Sequence, residues 1–386
     1  MSEYQYYEWQ TVDRILTTDE QTAVNRLSSH IEVSSSRALV TYSWSDFRHD
    51  PKQVLLKYFD AFFYFANWGS LCLMFRFPKG LIDKAIIEPY CTNEYISFET
   101  MGEYQVLDLD FHIDDSSWLE TEGSLSDFIR LRADILNGDY RLLYLAWLKA
   151  MTLYGIPDFS DDEDNPHSPA YDREPPVPAG LKLLSPALQN FVHIFGLDRF
   201  LVQAAAEASP DPKKPPVVDY GSLVSRLPRA ECDDFLTRLA EGEAGAGLAL
   251  RKRLAAFLPP VERPQAVEPR TIQQLIQGSK RLKQAEKERQ VEAARQKHIA
   301  EMKALAANEE QTWKKVDDLL ANGRKIAAIY DEATELLVKL QQLSEFQDTA
   351  DTSIRRDIFQ QRLRMLAVKY SARPSLIGRW ETKGWI

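Results

Sequence analysis

Hydrophobic and polar positions change period several times along the chain, and each change marks an element. Tyr4, Tyr6, Tyr7, Trp9 and Val12 crowd aromatic and β-branched residues into a β-prone stretch. Thr17, followed by Glu20 at the capping-box position, opens a helix over Ala23, Val24 and Leu27. Residues 38–44 read as a strand. Asp50-Pro51 opens a second helix, proline being favoured in the first turn. Its apolar positions, Val54, Leu55, Tyr58, Phe59, Phe62, Phe63 and Phe65, wrap much of the circumference, so the pattern predicts one central, buried helix reaching Phe65. From Ser70 to Phe77 alternation returns. Leu71, Leu73, Phe75 and Phe77 share one face, and Cys72, Met74 and Arg76 the other, giving a strand apolar on nearly both sides. Lys79 to Ile87 reads as a short helix, and 94–100 with 103–112 as a hairpin across Met101-Gly102. Strands alternating with helices over this length predict an α+β domain with a mixed sheet of four to five strands.

Beyond residue 115 the strand signal fades. Residues 116–136 and 139–154 read as helices broken at Asn137-Gly138-Asp139, and 185–208 as one or two more, split near Gly196. Residues 219–258 form a small helical unit. Thr271 to Ala307 contains no proline and only Gly278, so a continuous helix there would be on the order of 50 Å long. Its apolar content is thin, with Leu282, Val291 and Ile299 carrying most of it. Three amphipathic helices follow, starting near Trp313, Ile329 and Ile354, spaced for a hairpin or small bundle. The tail after Arg373-Pro374 is expected to pack back through Trp380 and Trp385. The domain organisation read from these patterns is an α+β domain over 1–155, an acidic Pro-rich linker over 156–180, and a helical region over 181–258 with a Pro-rich break at 209–216. A Pro-rich linker over 259–270 and a long basic helix with a C-terminal helical bundle over 271–386 complete it.

Composition narrows the class. Of 386 residues, 44% are hydrophobic, enough for a real core and too many for wholesale disorder. No apolar run approaches the roughly 18 residues of a membrane span, and no secretory pattern opens the chain, so no membrane and a cytoplasmic location are expected. Three scattered cysteines, Cys72, Cys91 and Cys232, exclude a disulfide scaffold and a Cys-rich zinc module. The net charge of −10 hides a division. Residues 1–150 hold 13 basic and 23 acidic side chains, 151–180 one and seven, and the remainder 33 and 27, so an acidic front meets a mildly basic rear.

Candidate chemistry is sparse. Asp108, Asp110 and His112 alternate on one predicted strand face, with Asp114 and Asp115 just beyond. Two carboxylates and an imidazole on one face suit a divalent ion or an acid/base pair, as in a metal-dependent hydrolase or nuclease. The opposite face, Leu107, Leu109, Phe111 and Ile113, gives the plain alternative of a solvated outer strand. His193 reads as a core histidine on an apolar helix. Gly242, Gly245 and Gly247 follow a helix rather than a strand and read as a turn, not a nucleotide loop. Between Arg263 and Lys303 ten basic residues face five glutamates. Lys280, Arg281, Lys283, Lys287, Arg289, Arg295 and Lys297 are the candidates for following a phosphate backbone. Glu286, Glu288 and Glu292 interleave and no aromatics accompany them, which suits a solvated helix or coiled-coil arm. No cofactor is expected.

Three phrases carry a resemblance: Tyr7-Glu8-Trp9-Gln10-Thr11-Val12-Asp13-Arg14, then Tyr58-Phe59-Asp60-Ala61-Phe62 with Ala66-Asn67-Trp68-Gly69, and Arg373-Pro374-Ser375-Leu376. Together they resemble an uncharacterised bacterial protein family of similar length. Leu223 to Leu239 and the helices from Tyr330 onward are similar to the flanks of bacterial SWIM-type zinc-finger proteins, but the Cys-x-Cys and Cys-x-His pairs that name that group are missing. The resemblance implies a bacterial cytoplasmic protein of a multi-protein system and brings no catalytic or zinc residues. The expectation is a non-enzymatic adaptor with protein partners. It would use the α+β domain and the C-terminal helices as separate binding surfaces, the latter also for homo-oligomerisation. Nucleic-acid binding through 263–303 is the alternative.

Overall fold

The computed structural model describes residues 3–92, 94–112, 123–153, 173–212, 219–243, 245–258, 268–322, 327–346 and 352–386. The expected capping box is present: Glu20 N donates to Thr17 Oγ1, and Glu20 returns a carboxylate oxygen to Thr17 N. In chain order the front elements are β1 (Gln5–Gln10), α1 (Thr18–Asn25), β2 (Glu32–Val33), β3 (Arg37–Tyr42), α2 (Pro51–Tyr58), β4 (Ala61–Ala66), β5 (Ser70–Pro78), α3 (Lys84–Ile87), β6 (Ile96–Met101) and β7 (Tyr104–His112). The strands form one sheet in the order β2-β3-β1-β4-β5-β7-β6, and every pairing is antiparallel. The α+β character is as expected. The sheet, however, has seven strands rather than four or five, and it is not mixed.

The extra strands have identifiable causes. The predicted helix over 51–65 is two elements: α2 stops at Tyr58 and β4 begins at Ala61. A strand buried on both faces is a continuous apolar run, which periodicity alone cannot separate from a buried helix. Asp60 makes the break, its N–H donating to Gln10 O and its C=O accepting from Arg76 N. β2 has only two residues, too few for any pattern to register.

Successive residues of β4 and β5 are buried on opposite faces, and each face carries its own core. One face holds Phe63, Leu73, Leu109 and their neighbours against α4 (Ile129–Leu136), α5 (Arg141–Leu153), α6 (Pro186–Ile194) and α7 (Arg199–Ala206), with Leu275 from further on. The other holds Trp9, Phe62, Cys72 and Met74 against α1 and α2. The expected linker over 156–180 falls mostly outside the described residues. Its end is described, and Glu174 is buried with Tyr144 and Arg270 around it. Three short helices follow, α8 (Tyr220–Val224), α9 (Arg229–Ala240) and α10 (Ala246–Ala255), around Leu223, Leu227 and Leu254. Gly242 and Gly245 lie in turns, as expected, both at positive φ, whereas Gly247, expected in the same turn, lies in the first turn of α10. A Cβ at Gly245 would meet Pro78 at 3.2 Å, which keeps this position glycine.

The chain divides into two units, Met1–Lys283 and Gln284–Ile386. α11 (Ile272–Ala307) is one continuous helix of 36 residues, followed by α12 (Glu309–Asn322), α13 (Ala327–Glu345), α14 (Thr352–Lys369) and α15 (Pro374–Thr382). In the second unit Trp313, Tyr330, Leu337, Phe359, Leu363, Leu376, Trp380 and Trp385 form a core, so the tail packs back as its pattern predicts. Trp380 Nε1 donates to Thr334 Oγ1 at 3.3 Å and Trp385 Nε1 to Gln341 Oε1 at 2.6 Å. No described helix is long and apolar enough to cross a membrane.

The sheet buries ions that must be matched. Asp60 accepts from Arg76 Nη2 at 2.7 Å and from the N–H groups of Val12 and Asp13 at 2.7 and 3.0 Å. Arg132 grips Asp13 with both terminal nitrogens, at 2.9 and 2.6 Å, and donates through Nε to Arg76 O. Burial works to raise the Asp60 pKa. Arg76, Arg132 and the two N–H groups outweigh it and hold the carboxyl below its ordinary value. A carboxyl depressed in the folded state contributes stability above its unfolded pKa of about 3.9, and that contribution is lost as pH falls through the lower folded value. Asp60→Ala is therefore expected to cost about 3–5 kcal/mol by leaving Arg76 buried and unmatched. In urea unfolding across pH 2 to 7, Asp60→Asn should flatten the loss of stability seen below about pH 4.

Candidate functional site

The Asp108, Asp110 and His112 face can be built from its register. Across the sheet, Trp9, Phe62, Met74 and Asp108 lie in one row, with Ser97 beyond. Cys72 and Ser70 are the partners of Asp110 and His112 on β5. β7 pairs on both sides, so it is not an outer strand, and its polar face is not an open solvated one. Asp108 is 15% exposed and lies under α2, whose Lys52 reaches it at 3.0 Å and Glu99 at 3.4 Å. Cys72 Sγ donates to the other Asp108 oxygen at 3.6 Å. Burial works to lower the Lys52 pKa, but the two carboxylates prevail and raise it. Burial, with Asp108 and Asp110 adding charge, pushes the Cys72 thiol well up, which makes it a poor nucleophile. Burial likewise raises Cys91 to about 11. The side chain of His112, and Asp114 and Asp115, lie outside the described residues. Among the described residues no group of three His, Cys, Asp or Glu side chains could hold a metal ion. Among the described residues the arrangement gives Asp108 one cation, Lys52, and the chemistry it supports is an ion pair.

α11 places the basic candidates in view of solvent. Thr271 caps it, accepting from Gln274 N and receiving Gln274 Oε1 at its own N–H. Leu275 and Ser279 are buried, and a Cβ at Gly278 would sit 3.1 Å from Ala204 Cβ, so glycine lets this turn lie close against α7. From Lys283 to His298 every residue except Glu286 is exposed. Arg281 pairs with Glu207 at 2.7 Å, Arg289 with Glu286 at 2.9 Å, and Arg295 lies 3.9 Å from Glu292. Gln284, Gln290 and Gln296 bond to Glu288, Glu286 and Glu292 four residues away. The seven candidates therefore do not form one surface. Lys280, Lys283 and Lys287, at i, i+3 and i+7, share a face, while Arg281, Arg289 and Lys297 point elsewhere around the helix.

Several functional-looking groups escape the sequence patterns. Glu8 is buried and accepts from Arg37 Nε at 2.6 Å, Tyr6 Oη at 2.7 Å and Leu125 N at 2.7 Å. Glu174 takes a bidentate contact from Arg270 at 2.8 and 2.6 Å. Lys149 is buried on α5. Glu8 and Lys149, like Asp60, share one signal, a lone charge inside an apolar run: Tyr7-Glu8-Trp9, Phe59-Asp60-Ala61, Leu148-Lys149-Ala150; Glu174, in Asp172-Arg173-Glu174-Pro175, carries no such signal. His193, expected in the core, is exposed on the outer side of α6, because Phe191 and Ile194 already supply that helix's buried face.

No family model, curated protein or solved structure matches the chain. Lys52→Met is expected to cost about 1–2 kcal/mol, the worth of a partly exposed charged hydrogen bond. A raised lysine pKa contributes fully below the unfolded value of about 10.4 and is lost as pH rises through the folded value. Wild type and Lys52→Met should thus differ by a constant amount below about pH 10.4 and converge only as pH rises further, through the raised folded value, measured by denaturant unfolding.

Proposed function

We propose that the protein is a non-enzymatic adaptor of a bacterial multi-protein system, with the α+β unit and the C-terminal helices as separate binding surfaces. The observation that supports this best is α11. It is helical over 36 residues, yet from Lys283 to His298 none of its residues is buried among the described ones. A helix polar on all sides has no face to give to a core. Maintaining it serves a surface rather than a fold. α9 adds to the case, since it contains no buried residue and exposes Leu236 and Leu239. On this reading the second unit, with its own core, also provides helices for self-association.

The second reading is binding to a phosphate backbone. It rests on the Lys280–Lys283–Lys287 stripe, whose amines carry no ion pair among the described residues. Against it stand the arginines already beside glutamates and the lack of aromatics for stacking.

One experiment separates the two. A photo-crosslinking residue is placed at Gln284, Val291 or Ala294 of the full chain in its native cell. The adaptor reading expects a discrete protein adduct from at least one position, and none from an exposed control at Lys182. In parallel, anisotropy with duplex and single-stranded probes is read at 50 and 200 mM salt. The backbone reading expects affinity to fall steeply with salt. Changing Lys280, Lys283 and Lys287 to Glu should then lower the log–log salt slope by about 3. Nucleic-acid binding of that kind with no protein adduct would displace the adaptor reading.

A further inference from the structure

Lys149 stands apart from every other buried cation in the described residues. Arg76 and Arg132 lie against Asp60 and Asp13, and even the half-buried Arg270 lies against Glu174. Lys149 is 6% exposed, between Leu148 and Ala150, which are wholly buried. No carboxylate lies within ion-pair distance of its amine among the described residues, and its side chain donates no hydrogen bond there. Burial alone pushes its pKa down from the ordinary lysine value.

The amine ends beside Gly196. A Cβ built on Gly196 would lie 3.9 Å from Lys149 Nζ, and beyond Gly196 and the residues adjoining it in the chain no other described atom comes within 4 Å of that point. Gly196 has φ +62 and closes α6, its N–H donating to His193 O while Leu197 N donates to Val192 O. The same glycine lines an open cleft of about 620 Å³ at the α6–α7 corner, with Gln189, His193, Asp198 and Arg199 around it. Lys149 therefore lies one layer behind the cleft wall, at a residue with no side chain to stand between them. His193 and Arg199 are exposed at the rim. The one acid of the lining, Asp198, already accepts from Phe200 N at 2.7 Å. The lining thus carries one cation, Arg199, one imidazole, His193, and one carboxylate held at the N-terminus of α7, with the Lys149 amine behind Gly196.

We propose that this cleft binds a small oxyanion, a carboxylate or a phosphate, with Lys149 as its buried counter-ion. An oxyanion over Gly196 supplies the opposite charge that the amine lacks among the described residues, and charged acceptors for N–H groups that otherwise have no protein acceptor there. In a low-dielectric setting that match is strong, whereas an unmatched ammonium is costly. Arg199 and His193 add donors from the solvent side. Glycine at 196 is required twice, for its backbone conformation and for the open space beside the amine.

The test uses the full chain and three probes: inorganic phosphate, acetate and succinate. Calorimetry should show saturable binding at one site per chain for at least one of them. Whichever of phosphate and the carboxylates binds tighter identifies the source of the oxyanion. Lys149→Met keeps the apolar stem and removes the charge, and should weaken binding at least tenfold. Lys182→Met, an exposed control, should leave it unchanged. Arg199→Gln, at an exposed position, keeps the test decisive if Lys149→Met does not fold, and should weaken binding three- to tenfold. No saturable binding of any probe overturns the proposal, as does binding unchanged in Lys149→Met or in Arg199→Gln.

Discussion

β4 and β5 are apolar on both of their faces, and water has to be kept from both. Phe62, Cys72 and Met74 point one way, while Phe63, Phe65, Leu73 and Phe75 point the other. Each such side chain contributes about 1.5–3 kcal/mol when fully buried, so leaving either face open would cost more than a domain's net stability. One layer is local: α1 and α2 arise between the strands they cover. The other is assembled from residues far along the chain, from α4 through α7 to Leu275. That requirement draws the segment around Glu174 and the start of α11 onto the strand unit. It also explains why Arg270 is held at Glu174 and at the carbonyls of Ala204 and Ala205.

A sheet closed on both sides leaves no solvent for its charges, and the chain meets this with paired groups. Glu8, Asp60 and Glu174 each accept from an arginine, and at Glu8 and Asp60 backbone N–H groups complete the set. Matched pairs of this kind add little net stability, but breaking one is expensive, so they fix which segments meet. Asp60 joins β4, β5 and the turn after β1. Glu174 joins α5, α7 and the residue before the Thr271 cap. The same logic makes Lys149 the exception, because nothing in the described part of the chain plays the part that Asp60 plays for Arg76.

Legibility followed physical locality. The Thr17 and Asp50 starts, the β6–β7 hairpin at Gly102 and the helical rear depend on caps, turns and short periods, and all could be read from neighbouring residues. Ala61–Ala66 could not, because an apolar run buried on both faces has no period to read. The candidate face was half legible. Alternation placed Asp108 and Asp110 together, but nothing near them in sequence announced Lys52, 56 residues earlier. Lys149 and Asp60 did leave a mark, a single charge within an apolar stretch, whose meaning depends on partners that only the fold supplies.

α11 is governed by different terms. Its first turns are secured by the Thr271–Gln274 cap and by Leu275 and Ser279, and Met302 is buried near its other end. Between them the helix is sustained by residues of good helical propensity and by Gln–Glu and Arg–Glu pairs, each worth about 0.2–0.5 kcal/mol. Terms that small support a helix without specifying a neighbour. From Lys283 to His298 the only exposed large hydrophobic residue is Val291, at 62%. Apolar burial here would be slight, so any partner of this stretch has to be selected by charge and hydrogen bonding. Recognition of that kind is sensitive to ionic strength and sets the rate of encounter more than the depth of the complex.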